Sequence, residues 1–178
     1  MLRCGLLGKK LGHSYSPEIH KMLTGYEYRL YERRAEELES FIRGGEWDGL
    51  NVTMPYKKAV IPFCDELGER ARLSGSVNTL VRRADGSICG DNTDMFGFES
   101  LLRANGIDPA GMKALVLGSG GACASVRAVL DSLGAETVVI SRRGEDNYNN
   151  LERHRDAGLI VNTTPLGMYP NNGAQAVD

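Results

Sequence analysis

Apolar positions fall into short continuous runs and helically spaced faces, separated by glycine and proline. Leu2 to Gly8 is an apolar run that breaks at glycine, which predicts a buried strand and a loop. Ser16 before Pro17 predicts a helix start, with Ile19, Met22 and Leu23 following on one face. A second strand is expected over Tyr26 to Tyr31, then a helix through Leu38, Phe41 and Ile42 that stops at Gly44-Gly45. Asn51 to Thr53 ends the next strand. Pro55 opens a helical stretch using Val60, Phe63, Cys64 and Leu67, and Pro62 inside it divides the stretch into two short helices. The segment "SVNTLVRRADGSICGDNTD" predicts a hairpin turning at Asp85-Gly86. Asp94 to Ala104 predicts a connecting helix with Phe98, Leu101 and Leu102 on one side. The polar "NGIDPAGMK" after it places a domain boundary, giving domains 1–104 and 105–178.

The second part has the pattern of a βαβ unit. Ala114 to Leu117 is an apolar strand, followed by Gly118, Gly120 and Gly121, a helix, and another apolar strand over Thr137 to Ile140. Glycines between strand and helix let a backbone approach a pyrophosphate, and the amides opening the helix favour the anion. Cys123 stands where the third glycine of GxGxxG is usual; a small residue there still allows close packing of helix on strand. After the second strand come Ser141, Arg142 and Arg143 in place of the acid that reads an NAD ribose. Two guanidiniums suit a 2′-phosphate and so NADP; their alternative is a solvated loop. Leu159 to Asn162 predicts a further strand. With a short strand near Tyr148 to Leu151 it becomes the fourth, lying beside the first at the crevice where such sheets bind ligands.

Composition narrows the function classes. With 21 basic and 23 acidic residues in 178 and a formal net charge of −2, binding to nucleic acid through bulk charge is not expected. No apolar run approaches the roughly 18 residues of a membrane span, and no secretory signal pattern opens the chain, so a cytoplasmic location is expected. Cys4, Cys64, Cys89 and Cys123 form no CxxC pair and are expected as buried thiols. His13, His20 and His154 are equally scattered, and no metal is expected. Lys57 and Lys58 are the exception, a local concentration of charge where a strand ends.

Read together, "HSYSPEIH", "NVTMPYKK", "GSVNTLV", "GDNTDMFGF", "GSGGA" and "NTTPLGMYP" resemble the shikimate dehydrogenase family in order and spacing, over nearly the whole chain. The resemblance implies an α/β protein: an N-terminal α/β substrate-binding domain followed by an incomplete NADP-binding Rossmann domain. It implies hydride transfer from NADPH to 3-dehydroshikimate across a cleft between the domains, giving shikimate for aromatic amino-acid biosynthesis. Carried over by position, Ser14 and Ser16 hold the substrate carboxylate, which agrees with two hydroxyls at a helix start; capping alone is the alternative. Thr53, Asn78 and Asp94 fall where ring hydroxyls are contacted, with Asn51 as a further candidate or a turn residue and Asp94 alternatively a helix cap. Lys57 matches the catalytic lysine, Asp94 its acidic partner, and Lys58 faces solvent. The implied cofactor contacts are Gly118, Ser119, Gly120, Gly121, Ala122, Cys123, Ser141, Arg142, Arg143 and Thr164.

The chain stops at Asp178, before the last strands and returning helices that the resemblance implies, so weak or absent activity is expected. Two other readings stay open: a non-catalytic fragment that binds substrate or nucleotide, and a quinate/shikimate dehydrogenase using NAD. The expected partner is a small-molecule substrate, on a monomer or homodimer, with no nucleic acid and no membrane.

Overall fold

The computed structural model describes residues 2–12, 14–23, 25–169 and 172–177. His13, set aside above as a ligand, and Pro170 of the last motif lie outside the described residues. The chain divides into two compact units, Met1–Thr93 and Asp94–Asp178.

The first unit contains β1 (Arg3–Gly8), α1 (Ser16–Leu23), β2 (Glu27–Glu32), α2 (Leu38–Gly44), β3 (Gly49–Val52), β4 (Glu66–Leu67), α3 (Glu69–Ser74), β5 (Thr79–Arg82) and β6 (Ile88–Asp91). Its six-stranded sheet has the order β2-β1-β3-β5-β6-β4. β1 runs parallel to β2 and β3, whereas β5 runs antiparallel to β3 and β6. Side chains alternate across a sheet, so the register decides which of them share a face. Leu7 lies opposite Val52 and Leu50 opposite Leu80, and these join Ile42, Trp47, Tyr56, Val60 and Ile88 in one core. The other face receives Tyr28, opposite Cys4, and the cross-strand pair Asn51 and Thr79.

Two expectations for this unit change, and one strand joins it that the pattern did not announce. Residues 54–60 form successive turns, followed by a 3-10 turn at Ile61–Phe63, where two helices were expected. Most amides there reach back three residues (Tyr56 N to Thr53 O at 2.9 Å, Ile61 N to Lys58 O at 3.3 Å, Phe63 N to Val60 O at 3.0 Å), which is too tight for an α-helix. The apolar face of α1 is present but not buried: Met22 is 81% and Leu23 72% exposed. β4 is only two residues long, too short for alternation to reveal.

The second unit contains α4 (Thr93–Ala104, counted from its second residue), β7 (Lys113–Leu117), α5 (Gly121–Ser132), β8 (Glu136–Ile140) and β9 (Leu159–Asn162). Its three strands are parallel in the order β8-β7-β9. β7 is buried on both faces: Ala114 and Val116 pack with Met95, Leu102, Val126, Val129 and Leu130, while Leu115 and Leu117 pack with Ile140. That explains its unbroken apolar run. On α4 the inward side uses Met95, Phe98 and Leu102, whereas Leu101, expected inside, is 59% exposed. No strand forms near Tyr148 among the described residues. Asn147 and Asn150 bind the local backbone with their side chains and favour turns, and a 3-10 turn follows at Leu151–His154. β9 is therefore the third strand of this sheet, although it does lie beside β7. Among the described residues no helix is long and apolar enough to cross a membrane. Among the described residues no disulfide forms, and only Cys123 is a buried cysteine; the other three are half-buried.

One core contact carries a stability prediction. The Arg82 guanidinium lies 4.4 Å from the centre of the fully buried Trp47 ring and donates to Ile42 O (2.7 Å), Gly45 O (3.3 Å) and Trp47 O (3.3 Å). Arg82→Ala strands these carbonyls beside α2. It is expected to lower the unfolding free energy by about 2–3 kcal/mol, read from urea unfolding.

Candidate active site

In the first unit, backbone hydrogen bonds bring most of the expected substrate residues to one end of the sheet. Thr53 N donates to Leu7 O (2.9 Å), tying the segment after β3 to the end of β1. Val52 N donates to Asn78 O (2.7 Å) and Val77 N to Lys57 O (2.7 Å), so the approach to β5 is stitched to both the end of β3 and the lysine turn. Asn78 N donates to Asp91 O (3.0 Å), which adds the end of β6. Parallel β1 and β3 finish where antiparallel β5 begins, and this is why residues far apart in sequence share that edge.

Within the turn over 54–60, Tyr56 and Val60 enter the core, Lys57 is half-buried and Lys58 is exposed. The Tyr56 hydroxyl donates to Arg33 O (2.6 Å), which fixes the turn against the segment after β2. Asn78 is buried, and its side chain spans a junction: Oδ1 accepts from Thr93 N (2.9 Å) and Thr79 Oγ1 (2.9 Å), and Nδ2 donates to Thr93 Oγ1 (3.0 Å). Asp94 follows Thr93 in the first turn of α4, where a carboxylate is favoured by the helix dipole; it belongs to the second unit.

Ser14 and Ser16 flank the start of α1. Ser16 N donates to Ser14 Oγ (3.2 Å), and both residues are half-buried. Next to them is a cluster that sequence reasoning missed. The Tyr28 hydroxyl donates to Asn51 Oδ1 (2.7 Å), and the His20 ring stacks on Tyr28 with centroids 3.9 Å apart and planes 12° apart. His20 Nδ1 also meets the Tyr26 hydroxyl at 2.7 Å. Burial pushes the Tyr28 hydroxyl up to about 12, with a hydrogen bond to Ser16 opposing the shift, so Tyr28 keeps its proton from neutral pH well into the alkaline range. With Oδ1 of Asn51 accepting from Tyr28, the Asn51 amide nitrogen is the end available as a donor. The available signal was the alternation of β2, but it identifies Tyr28 as a neighbour of Asn51 only once the β1 register is known.

In the second unit three loops leave the same sheet edge. Gly118 N donates to Ile140 O (2.8 Å) and Thr163 N to Leu117 O (2.9 Å), which sets the glycine loop between the loops after β8 and β9. Gly118 has φ +109°, and a Cβ there would meet Thr163 Oγ1 at 2.9 Å and Thr164 Cγ2 at 3.2 Å, so glycine is required. At Gly120 a Cβ would meet nothing within 4 Å, leaving the space in front of α5 open. Gly120, the residue that opens α5, has no side chain to cap it, and no acid lies in the first turn. A helix N-terminus of this kind, with Ser119, Gly120 and Ala122 exposed and Gly121 half-buried, fits a dinucleotide pyrophosphate. Cys123 is buried against the strand side of α5, the packing role expected of its position.

Ser141 is half-buried, and Arg142 and Arg143 are exposed on the loop after β8. Thr164 is half-buried; its hydroxyl donates to Asn162 Oδ1 (2.7 Å) and accepts from Leu166 N (3.2 Å), so it shapes the third loop. Among the described residues, no group of three or more His, Cys, Asp or Glu side chains is placed to hold a metal ion.

A family model described as the shikimate dehydrogenase substrate binding domain matches residues 6–80. Shikimate dehydrogenase (NADP(+)) of Methanopyrus kandleri is 39% identical over 94% of this chain and 68% of the relative. A crystal structure of shikimate dehydrogenase 1 from Peptoclostridium difficile superposes with a TM-score of 0.90 at 33% identity, covering 100% of this chain and 73% of that one. The Thermus thermophilus shikimate 5-dehydrogenase in complex with NADP(H) and shikimate gives 0.85 at 31% identity, covering 100% of this chain and 74% of that one. With the substrate-domain profile over the first unit and full-chain likeness to NADP(+) enzymes of this kind, the chain belongs to the shikimate dehydrogenase family.

Proposed function

We propose that this chain catalyses the reversible, NADP-dependent reduction of 3-dehydroshikimate to shikimate, with Lys57 and Asp94 as catalytic residues. In the same reading Ser14, Ser16, Asn51, Thr53 and Asn78 bind substrate in the N-terminal domain. Gly118 to Cys123, Ser141, Arg142, Arg143 and Thr164 bind the dinucleotide in the C-terminal one. A cytoplasmic monomer or homodimer completes the proposal. The observation that carries it is the stitching of Thr53, Lys57 and Asn78 to one sheet edge by short backbone bonds.

When bound, NADPH supplies the hydride. As the ketone is reduced its oxygen gains negative charge, and the Lys57 ammonium is suited both to stabilise that charge and to release a proton to it. Half-burial supports Lys57 over Lys58 for this task, because a partly dehydrated amine interacts more strongly with a developing alkoxide than one in bulk water. Paired hydroxyls at the start of α1 suit a carboxylate, and the donor end of Asn51, held by Tyr28, suits a ring hydroxyl.

Three outcomes test these assignments. Lys57→Ala is expected to lower kcat for shikimate oxidation on the order of 100-fold or more while Lys58→Ala changes it less than about twofold. Equal losses in the two variants would remove Lys57 from the proposal; calorimetric shikimate binding serves as a second readout. Tyr28→Phe deletes the hydroxyl that orients Asn51 and is expected to raise KM for shikimate about fivefold with little change in kcat, a split that steady-state kinetics resolves. NADPH is expected to be preferred over NADH at equal concentration, and the double substitution Arg142→Ala, Arg143→Ala to abolish that preference. An unaltered preference in the double variant would move the 2′-phosphate site elsewhere.

A further inference from the structure

The loop bearing Arg142 and Arg143 is closed in a way that the cofactor assignment does not use. Ser141 N donates to Asp146 O (3.2 Å), and Gly144 N donates to Ser141 O (3.3 Å), which folds residues 141–146 into a tight arc with the two arginines on it. A Cβ at Gly144 would meet Ser141 Oγ at 2.8 Å and Asp146 O at 2.9 Å, so the arc closes only around glycine. Asp146 is held a second time through its side chain, where Oδ1 meets His154 Nε2 at 2.9 Å. The His154 side chain is only 10% exposed and the Asp146 side chain 33%. Nδ1 of His154 is buried and has no hydrogen-bond partner among the described residues. Among the described residues the imidazole therefore has a single polar attachment, and it is to this arc. His154 ends the 3-10 turn Leu151–His154, whose Leu151 packs against Leu117 and Ile140 at the ends of β7 and β8. Asn150 fastens the same turn by donating to Glu145 O (2.9 Å) and accepting from Asn147 N (2.8 Å).

We propose that the Asp146–His154 pair is a positioning clamp that ties the arginine arc to the sheet-anchored 3-10 turn and thereby sets the preference for a 2′-phosphorylated dinucleotide. The inference rests on the reading of Arg142 and Arg143 as the 2′-phosphate site. Flexible guanidiniums bind a phosphate tightly when the backbone beneath them is already fixed, because less ordering remains to be done on binding. A single contact to a carboxylate that is one-third exposed contributes little to global stability, so its effect should appear in the loop it fastens and not in the fold.

The test is calorimetric binding of NADP+ and NAD+ to the whole chain and to four variants: Asp146→Ala, His154→Phe, His154→Gln and the double arginine-to-alanine variant. Asp146→Ala and His154→Phe are expected to weaken NADP+ binding on the order of tenfold while NAD+ binding stays within about twofold. His154→Gln, which keeps a donor near the position of Nε2, is expected to recover most of the loss. If both clamp variants keep the parent ratio of the two affinities while the double arginine variant loses it, the clamp is overturned and the arginine site stands. A double arginine variant that retains the NADP+ preference, or a parent chain without measurable NADP+ affinity, overturns the site and the clamp together. Should His154→Phe not fold, Asp146→Ala decides alone, since that side chain is on the surface side of the pair.

Discussion

Parallel pairing of β1 with β3 sets Leu7 opposite Val52 and Leu6 opposite Asn51, and much of the first unit follows from that register. Alternation sends Leu7, Leu50, Val52 and Leu80 to the core, which leaves Asn51, Tyr28 and Thr79 on the other face with their polar groups near one another. A slip of one residue would bury the Asn51 amide among leucines and valines and expose the core side chains. The hydrophobic pattern thus protects the polar cluster as strongly as it protects the core. β5 then reverses direction, so that Asn78, which precedes it, meets the end of β3 and not its beginning. A wholly parallel sheet would have carried Asn78 to the opposite edge.

The second unit reaches a similar result by simpler means. Three parallel strands in the order β8-β7-β9 end together, and Gly118, Ser141 and Thr163 leave them at one level. Burial of β7 on both faces leaves only apolar side chains from Ala114 to Leu117, so recognition at that end of the strand falls to the loops. The positive φ of Gly118 and the threonines packed on it bring the glycine and threonine loops closer than any side chain at that position would permit.

Elements with strong punctuation were legible in the sequence. Gly44-Gly45 ends α2, Asp85-Gly86 turns the hairpin, and β7, α5 and β8 occur where the apolar runs and glycines predicted them. Misreadings arose where local pattern and tertiary context disagree. The stretch after Pro55 has helical spacing of apolar residues, yet its hydrogen bonds reach back mostly three residues and Tyr56 is drawn into the core. Asn147 and Asn150 turn the chain where a strand was expected near Tyr148. Leu101 belongs to the apolar pattern of α4 but falls outside the stripe of Met95, Phe98 and Leu102. The motif residues could be named only through family resemblance, and residues outside the motifs could not. Tyr28 and His154 reach their partners through register and loop closure, neither of which periodicity encodes.

Tyr28 shows what such supporting residues add. Its hydroxyl is pushed by burial up to about 12 from an ordinary value of 10, so it stays protonated across the neutral range, as any tyrosine does, and further into alkaline solution. A permanent donor toward Asn51 Oδ1 gives the amide one stable orientation, in which the nitrogen is presented as a donor. Were Tyr28 to ionise, the same oxygen would face an anion, and the amide would gain by turning over. A residue with no proposed chemistry thus sets the hydrogen-bonding sense of one proposed to bind substrate, burial extends that state further into alkaline solution, and the stacked His20 ring covers the Tyr28 face.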